Sequence, residues 1–237
     1  MPENTTPALE VRGLTGFYGE TQALHGVDFV VYPGEVVCLL GRNGAGKTTT
    51  LRAVVGLLTK RQGHIAVNGH STQGMPPEDI AHLGVAYCPE ERGIFASLDV
   101  EENLMLPPVL MPGGMSIDEI YTLFPNLKLR RKSPGTRLSG GEQQMLAIAR
   151  ILRTGAKLLL LDEPTEGLAP VIIEKIGQAI TMLRQRGFTI LMVEQNFRFA
   201  SRVGDRFYVV EEGRVAEQFD RQAIATDNAR IEALLGV

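Results

Sequence analysis

The chain has 237 residues, of which 44% are hydrophobic and 22% charged, and its formal net charge at pH 7 is −3. This length and composition are sufficient for a full hydrophobic core in one large domain, or in one domain with a subdomain. The net charge gives no argument for nucleic acid as a partner. No apolar stretch approaches the ~20 residues that span a bilayer, so we expect any membrane role to depend on a partner protein.

Two cysteines, Cys38 and Cys88, both lie in apolar strand-like runs and do not form a metal-binding spacing. We therefore expect them to be reduced core residues of a cytosolic protein. Residues 1–9 do not combine a basic segment with an apolar one, so no signal peptide is predicted there. A basic cluster at residues 127–132 is expected to be a solvated surface, with an acidic partner surface as the alternative.

Short apolar runs alternate with amphipathic segments along most of the chain, which indicates an α/β fold. The predicted strands, of which the first is expected at a sheet edge, are residues 8–12, 26–32, 35–40, 63–68, 84–88, 157–162, 188–193, 207–211 and 214–218. The predicted helices are residues 49–57, 76–83, 101–106, 117–124, 145–152, 170–186 and 228–235. Strand patterns fade after residue 90, so we predict one domain (1–237) with an inserted helical subdomain at about 90–155.

One segment fits the phosphate-binding pattern G-x-x-x-x-G-K-[ST] between a predicted buried strand and a predicted helix. It consists of Gly41, Arg42, Asn43, Gly44, Ala45, Gly46, Lys47 and Thr48, and Thr49 follows it. Glycines let successive backbone N–H groups point at phosphate oxygens, and the helix that opens here adds its positive end. Lys47 would bring a full charge to the outer phosphates, and the Thr48 hydroxyl suits Mg²⁺. A glycine turn without a ligand is the alternative that the lysine, the threonine and the context disfavour.

Upstream of this loop, Tyr18 precedes a glycine and has two possible roles. Its ring could stack on a nucleotide base, because an aromatic face binds another ring with little regard to its identity. Packing at the end of a strand is the plainer alternative, and the residues alone leave both open.

The segment formed by Ser139, Gly140, Gly141 and Glu142 reads as the start of a helix, where Ser139 and Glu142 form a capping box. Glycines are poor helix formers, so their presence at the first helical positions makes sense if a phosphate approaches this N-terminus. A plain helix cap is the alternative, and the two interpretations are compatible.

Four leucines at residues 158–161 are followed by Asp162 and Glu163. A buried strand would deliver Asp162 to the carboxyl edge of the sheet, where ligands gather in open α/β folds. We predict that Asp162 holds Mg²⁺, directly or through water, and that Glu163 polarises the attacking water. An acidic pair after a strand is a weak signal alone, but the phosphate loop earlier in the chain makes this functional interpretation the favoured one.

The phosphate loop, the LSGGEQQ segment at residues 138–144 and the LLLLDEP segment at residues 158–164 occur in this order. Together they resemble the ATP-binding subunit of an ABC transporter, over roughly residues 9–237. LSGGE between the other two motifs is highly specific for this family. The resemblance implies a P-loop NTPase core with an antiparallel β subdomain and an inserted helical subdomain. It also implies Mg²⁺-dependent ATP hydrolysis by a peripheral protein on the cytoplasmic face of the inner membrane.

The resemblance further implies a head-to-tail dimer, in which ATP lies between the phosphate loop of one chain and the Ser139–Gly141 segment of the other. It implies that Tyr18 stacks on adenine. The helical subdomain would dock on short cytoplasmic helices of membrane permease subunits. A periplasmic binding protein would be an indirect partner.

Three positions depart from the general pattern of the family. Glu90 stands where glutamine is usual, Ala169 ends a loop that usually ends in aspartate, and Gln195 replaces the usual histidine. These departures resemble the second ATPase subunit of branched-chain amino-acid importers, which usually pairs with a different ATPase subunit. A heterodimer is therefore implied, with a homodimer possible in isolation. Importers of urea or short-chain amides, soluble ABC ATPases, and a nucleotide-gated clamp with little turnover are alternatives; an intact Glu163 argues against the clamp.

The replacements change what the site can do chemically. Gln195 offers an amide donor to a γ-phosphate oxygen and a carbonyl acceptor to water, but it cannot titrate as histidine does. Glu90 adds negative charge near phosphates, which is acceptable mainly if it faces Mg²⁺ or its water. The alternative for Glu90 is a surface acid paired with Arg92.

Overall fold

The computed structural model describes residues 5–224 and residue 231. Within this part of the chain the strands are β1 (Leu9–Tyr18), β2 (Thr21–Val31), β3 (Val36–Leu40), β4 (Lys60–Val67), β5 (His70–Ser71), β6 (Val85–Cys88), β7 (Leu158–Asp162), β8 (Thr189–Glu194), β9 (Arg206–Glu211) and β10 (Arg214–Asp220). The helices are α1 (Lys47–Val54), α2 (Pro77–Ala81), α3 (Val100–Met105), α4 (Ile117–Leu123), α5 (Pro125–Leu129), α6 (Gly140–Leu152), α7 (Pro170–Gln185) and α8 (Phe197–Val203). A short 3₁₀ helix spans Gly135–Arg137.

A six-stranded sheet has the order β10-β9-β3-β8-β7-β6. Its strands are parallel except β10, which pairs antiparallel with β9. Every residue of β3, β7 and β8 is buried, as expected for parallel strands that are covered on both faces. The loops that follow β3, β7 and β8 therefore emerge side by side at the carboxyl edge of this sheet.

The leucines of β7 show how the two faces of the sheet are covered. Leu159 and Leu161 belong to one hydrophobic cluster, which also contains residues of α6 and α7. Leu158 and Leu160 belong to a second cluster, which contains residues of α1 and of the strands β1 and β2. Because side chains alternate along a strand, a continuous run of leucines contributes side chains to the hydrophobic clusters on both faces of the sheet.

The second sheet has four antiparallel strands in the order β2-β1-β4-β5. The prediction that residues 8–12 form an edge strand is wrong, because β1 lies between β2 and β4. Both β1 and β2 are also longer than predicted. They meet at a tight turn at residues 19–20, where Gly19 has a φ of 59°, so the pairing of the two strands continues up to the turn.

The helices α3 to α6 all lie between β6 and β7 in the chain. Their bounds confirm the predicted helices at 101–106 and 117–124, and α6 begins at Gly140, directly after the predicted cap Ser139. The division of the chain at about 90–155 into a helical subdomain stays a prediction. The predicted helix at 228–235 lies outside the described residues apart from Ile231. In the described part of the chain, no helix has both the length and the apolar character needed to cross a membrane.

Candidate functional site

A cavity of about 710 Å³ lies at the carboxyl edge of the six-stranded sheet. It is bordered by residues that follow β3, β6 and β7, by part of β2, and by the turn between β9 and β10. The predicted site residues that line it are Asn43, Gly44, Gly46, Lys47, Thr48, Thr49, Glu90 and Glu163. Sequence reasoning missed Gln22 and His25 of β2, which also line it, because only the pairing of distant strands brings them there.

The phosphate loop has the backbone that its glycines predict. A Cβ on Gly41 would lie 2.3 Å from the backbone oxygen of Val210, so only glycine fits there. Gly46 has a φ of 103° and immediately precedes α1. Because no side chain caps this helix, its first backbone N–H groups are available to a ligand.

Lys47 is 4% exposed, and its ammonium group is held inside the loop. Its Nζ donates to the carbonyl oxygens of Gly41 at 2.9 Å and Arg42 at 3.0 Å. The same Nζ lies 3.4 Å from Oε1 of Glu163. A phosphate oxygen that enters the cavity would compete for these N–H donors, so ligand binding is expected to loosen the contact with Glu163.

Asp162 ends β7, is 1% exposed and accepts two hydrogen bonds. Thr48 Oγ1 donates to Oδ1 at 2.9 Å, and the Tyr87 hydroxyl donates to Oδ2 at 2.8 Å. Burial raises the pKa of the Asp162 carboxyl, and the two hydrogen bonds oppose this effect. The role of Tyr87 was missed, because nothing in the local sequence of β6 shows that it faces β7.

The oxygens of Thr48 and Asp162 fit Mg²⁺, which prefers hard ligands and is usually bound by one or two carboxylates plus substrate phosphates. In the described residues, no group of three or more histidines, cysteines, aspartates or glutamates could hold a metal ion by itself. The remaining ligands would therefore be phosphate oxygens and water.

Glu163 lies between Lys47 and Gln195. Gln195 Nε2 donates to Glu163 Oε2 at 2.6 Å, and the Glu163 side chain is 8% exposed. Its backbone φ is 46°, an uncommon left-handed conformation for a residue other than glycine. Such a conformation persists only when the surrounding structure holds it.

The segment after β7 is attached to the end of β8 by a residue that the sequence analysis did not single out. Glu194 is 2% exposed, and its Oε1 accepts from Thr165 Oγ1 at 2.8 Å and Thr165 N at 3.2 Å. Burial raises the pKa of the Glu194 carboxyl to about 7. The signal was present, because an acid that ends an apolar strand is the same pattern that identified Asp162.

Glu90 lines the cavity together with Glu163 and Glu166. The pKa of Glu166 is raised, chiefly by its hydrogen bond with Glu163. The alternative in which Glu90 pairs with Arg92 is wrong. The Arg92 guanidinium instead donates to Gln143 Oε1 at 3.1 Å and Gln144 Oε1 at 3.2 Å.

The predicted capping box at the start of α6 is confirmed. Ser139 N donates to Glu142 Oε2 at 2.8 Å, and Glu142 N donates to Ser139 Oγ at 3.3 Å. Packing alone explains one of the two glycines, because a Cβ on Gly141 would lie 2.7 Å from Cγ2 of Ile172. Gly140 is exposed and lies against the guanidinium of Arg92. None of these residues lines the cavity of their own chain.

Tyr18 ends β1, is 48% exposed and does not line the cavity. The nearby Tyr18 hydroxyl raises the pKa of Arg52 of α1, and Arg52 also lies 3.3 Å from Glu91. The structure thus places Tyr18 beside the phosphate-loop helix rather than in the cavity. Ala169, the third unusual position, is the residue that precedes α7.

A phosphate loop and a buried glutamate line one cavity, and a buried aspartate accepts a hydrogen bond from the loop threonine that also lines it. This arrangement defines a nucleotide-hydrolysing site of the P-loop class. Residues 24–166 match the family described as ABC transporter. The chain is 42% identical over 223 residues to BraG of Pseudomonas aeruginosa, a high-affinity branched-chain amino acid transport ATP-binding protein. This alignment covers 93% of the chain and 96% of BraG.

Two further similarities define the family more broadly. LptB of Haemophilus influenzae, a lipopolysaccharide export system ATP-binding protein, is 36% identical, and the alignment covers 96% of this chain and 97% of LptB. A dimeric ATP-binding cassette in a post-hydrolysis state, bound to ADP and Pi, matches with a TM-score of 0.80 at 25% identity. That match covers 90% of this chain and 98% of the cassette.

The chain therefore belongs to the ABC transporter family and is an ATP-binding ATPase. This confirms the predicted fold and enzyme class, and the predicted resemblance to an ATPase subunit of branched-chain amino-acid importers.

Proposed function

We propose that the protein is the ATP-hydrolysing subunit of an importer of branched-chain amino acids. It would act on the cytoplasmic face of the inner membrane, bound to permease subunits that a periplasmic binding protein supplies with solute. The similarity to BraG over nearly the full length of both chains supports this solute class. Because the chain is also similar to LptB, the experiment must distinguish import of these amino acids from transport of other solutes and from export.

The contact between Glu163, Lys47 and Gln195 is the observation that carries the proposed mechanism. When phosphates draw Lys47 toward the cavity, Glu163 loses its cationic neighbour and becomes free to accept a proton from water. Gln195 then orients Glu163 through its amide N–H, and its carbonyl can accept from the same water. Glu163 is the proposed catalytic base and Gln195 its proposed partner.

Thr48 and Asp162 would hold Mg²⁺, with Glu90 facing the metal or its water. The ion supplies charge stabilisation at the β- and γ-phosphate oxygens. Tyr87 keeps one oxygen of Asp162 occupied, and Thr48 contacts the other, so the carboxylate orientation is set before the metal arrives. The remaining residues of the loop, from Gly41 to Thr49, would bind the phosphates mainly through backbone N–H groups.

A second ATP-binding subunit would complete the site. The N-terminus of α6, with Ser139, Gly140, Gly141 and Glu142, does not line its own chain's cavity, which fits a role toward nucleotide held by another chain. Gly140 is exposed at this N-terminus, where backbone N–H groups favour a phosphate. The partner would be a different ATPase subunit, with a homodimer possible in isolation. Tyr18 would stack on adenine, since half of its surface is exposed.

The decisive experiment reconstitutes the chain with its membrane partners and measures ATP-driven solute uptake in vesicles. We expect leucine uptake that depends on ATP and is lost in Glu163→Gln, which keeps the shape of the side chain but cannot accept a proton. Glu20→Gln, at a 97% exposed side chain, is the matched control and should retain uptake. Uptake of urea or a short-chain amide instead of leucine would show that the proposed solute class is wrong. If the chain associates with no membrane partner, the transport role is refuted.

A further inference from the structure

Two neighbouring segments of the site are joined at two points. The first point is the hydrogen bond from Gln195 Nε2 to Glu163 Oε2. The second is the pair of hydrogen bonds from Thr165 to Oε1 of Glu194. Oε2 of Glu194 also accepts from Asn196 N at 3.3 Å, so this carboxylate joins residues 163–165 to residues 194–196.

This geometry has a consequence for the orientation of Glu163. A loop held by a single contact can rotate about that contact. Here one contact lies on each side of Pro164, at Glu163 and at Thr165, and together they fix the direction of the loop. The left-handed backbone of Glu163, with a φ of 46°, needs such external support. Thr165 and Glu194 are both buried, so water does not compete effectively for their hydrogen bonds.

We propose that Glu194 is a positioning residue for ATP hydrolysis, which acts through Thr165 to keep the Glu163 carboxylate facing the nucleotide. The inference rests on the proposed role of Glu163 as the catalytic base. It adds that the orientation of this base depends on a carboxylate that never touches the nucleotide.

The surroundings of Glu194 explain why a carboxylate is needed there. Burial and the nearby Glu163 both disfavour its charge, while the donors from Thr165 and Asn196 favour it. On the β3 side lies Cys38, a thiol whose pKa is raised chiefly by burial and additionally by the charge of Glu194. A carboxylate offers enough lone pairs to accept from all three donors at once, whereas an amide has one oxygen only.

The test compares Glu194→Gln and Thr165→Val with the conservative variant Thr165→Ser, which keeps the hydroxyl. We expect kcat for ATP hydrolysis to fall about tenfold in the first two variants, while the KM for ATP changes less than about twofold. Thr165→Ser should retain most of the activity. Combining Glu194→Gln with Thr165→Val should lower kcat little further, because both remove the same contact.

A matched control separates positioning from general stability. Thr189 is also a buried threonine, whose Oγ1 accepts from Gly34 N at 2.9 Å, outside the site. Thr189→Val should lower the melting temperature as Thr165→Val does, but leave kcat unchanged.

Three results would overturn the proposal: unchanged kcat in Glu194→Gln and Thr165→Val, equal kcat losses in the two threonine-to-valine variants, or a failure of Thr165→Ser to rescue kcat. The proposed role of Glu163 fails separately, if Glu163→Gln retains turnover.

Discussion

Buried charges at the site are balanced residue by residue. Lys47, Asp162 and Glu163 are each less than a tenth exposed, and each has a specific partner at hydrogen-bond or ion-pair distance. Removing one partner leaves a buried charge without compensation, which is costly. We therefore expect single substitutions among these residues and their partners to change protonation and metal affinity at the site while the fold is retained.

Tyr87 offers a direct test of this expectation. Tyr87→Phe removes the donor to Asp162 Oδ2, so the pKa of the Asp162 carboxyl should rise further above its usual range. Because Mg²⁺ needs the carboxylate form, we expect the Mg²⁺ concentration for half-maximal ATPase activity to rise several-fold, on the order of the ~1 kcal/mol of one hydrogen bond. The increase should be larger at pH 6 than at pH 8. Tyr121→Phe is the control, since that buried hydroxyl forms no hydrogen bond with any residue that the structure describes, and an equal effect there would contradict the assignment.

Glu194 predicts a pH dependence of stability. Burial raises its pKa to about 7, whereas an unfolded glutamate titrates near ~4.3. Between these values the folded state holds a proton that the unfolded state has released, so the free energy of unfolding falls as pH rises from ~4.3 to ~7 and is constant above. The contribution is about 4 kcal/mol over the full range, of which about 3 kcal/mol falls between pH 5 and pH 8. Urea denaturation at pH 5 and pH 8 should show this loss in the wild type and not in Glu194→Gln, and equal pH dependence in the two would contradict it.

Among the helices, α4 and α6 begin with the same local structure. Ser116 and Glu119 form a capping box with the distances found for Ser139 and Glu142, namely 2.8, 2.9 and 3.3 Å. The two caps should therefore stabilise their helices to the same degree. Of these two helices, only α6 is proposed to contact nucleotide with its N-terminus.

This pair separates capping from nucleotide contact. Ser116→Ala and Ser139→Ala should each lower the free energy of unfolding by about 1 kcal/mol, as the loss of an N-cap does. ATP turnover should fall in Ser139→Ala alone. Thermal unfolding together with steady-state ATPase activity measures both effects. If both variants keep full turnover, α6 binds no nucleotide, and if both lose it equally, the loss arises from stability.

The elements that could be predicted from the sequence are those with local causes. The leucine run of β7, the phosphate loop and the Ser139 cap each depend on residues within a few positions. The central place of β1 could not be predicted, because its partner β4 lies about fifty residues away. Tyr87 was missed for the same reason, since its contact with Asp162 arises from the pairing of β6 and β7. For Glu194 the acid at the end of an apolar strand was visible in the sequence, but its contact with Thr165 depends on the pairing of β7 and β8. The packing of Gly141 against Ile172 could not be predicted, because it is not visible in the local pattern.

For the molecule as a whole, the proposed coupling to a membrane needs a surface that a permease can bind. An apolar groove of about 270 Å³ lies between residues that follow α1 and residues of α2 and β6 on one side, and residues near the end of α6 on the other. No residue that lines it carries a charge. Leu57 lines this groove and is 54% exposed, and Val109 is 61% exposed next to Leu110, another lining residue. Tyr87 lines it too, so the groove is directly connected to Asp162 through one side chain.

This connection predicts that the groove transmits the presence of the permease to the ATPase site. Leu57→Gln keeps a side chain of similar length but places an amide where an apolar partner surface would be buried, so we expect weaker association with the permease subunits. The ATPase activity of the isolated chain should stay unchanged, because Leu57 does not line the nucleotide cavity, whereas stimulation by the permease should be lost. Met182→Gln, at a 40% exposed position of α7 outside this groove, is the control. Co-purification and ATPase assays with and without permease measure these effects, and full stimulation of Leu57→Gln would show that the membrane partner binds another surface.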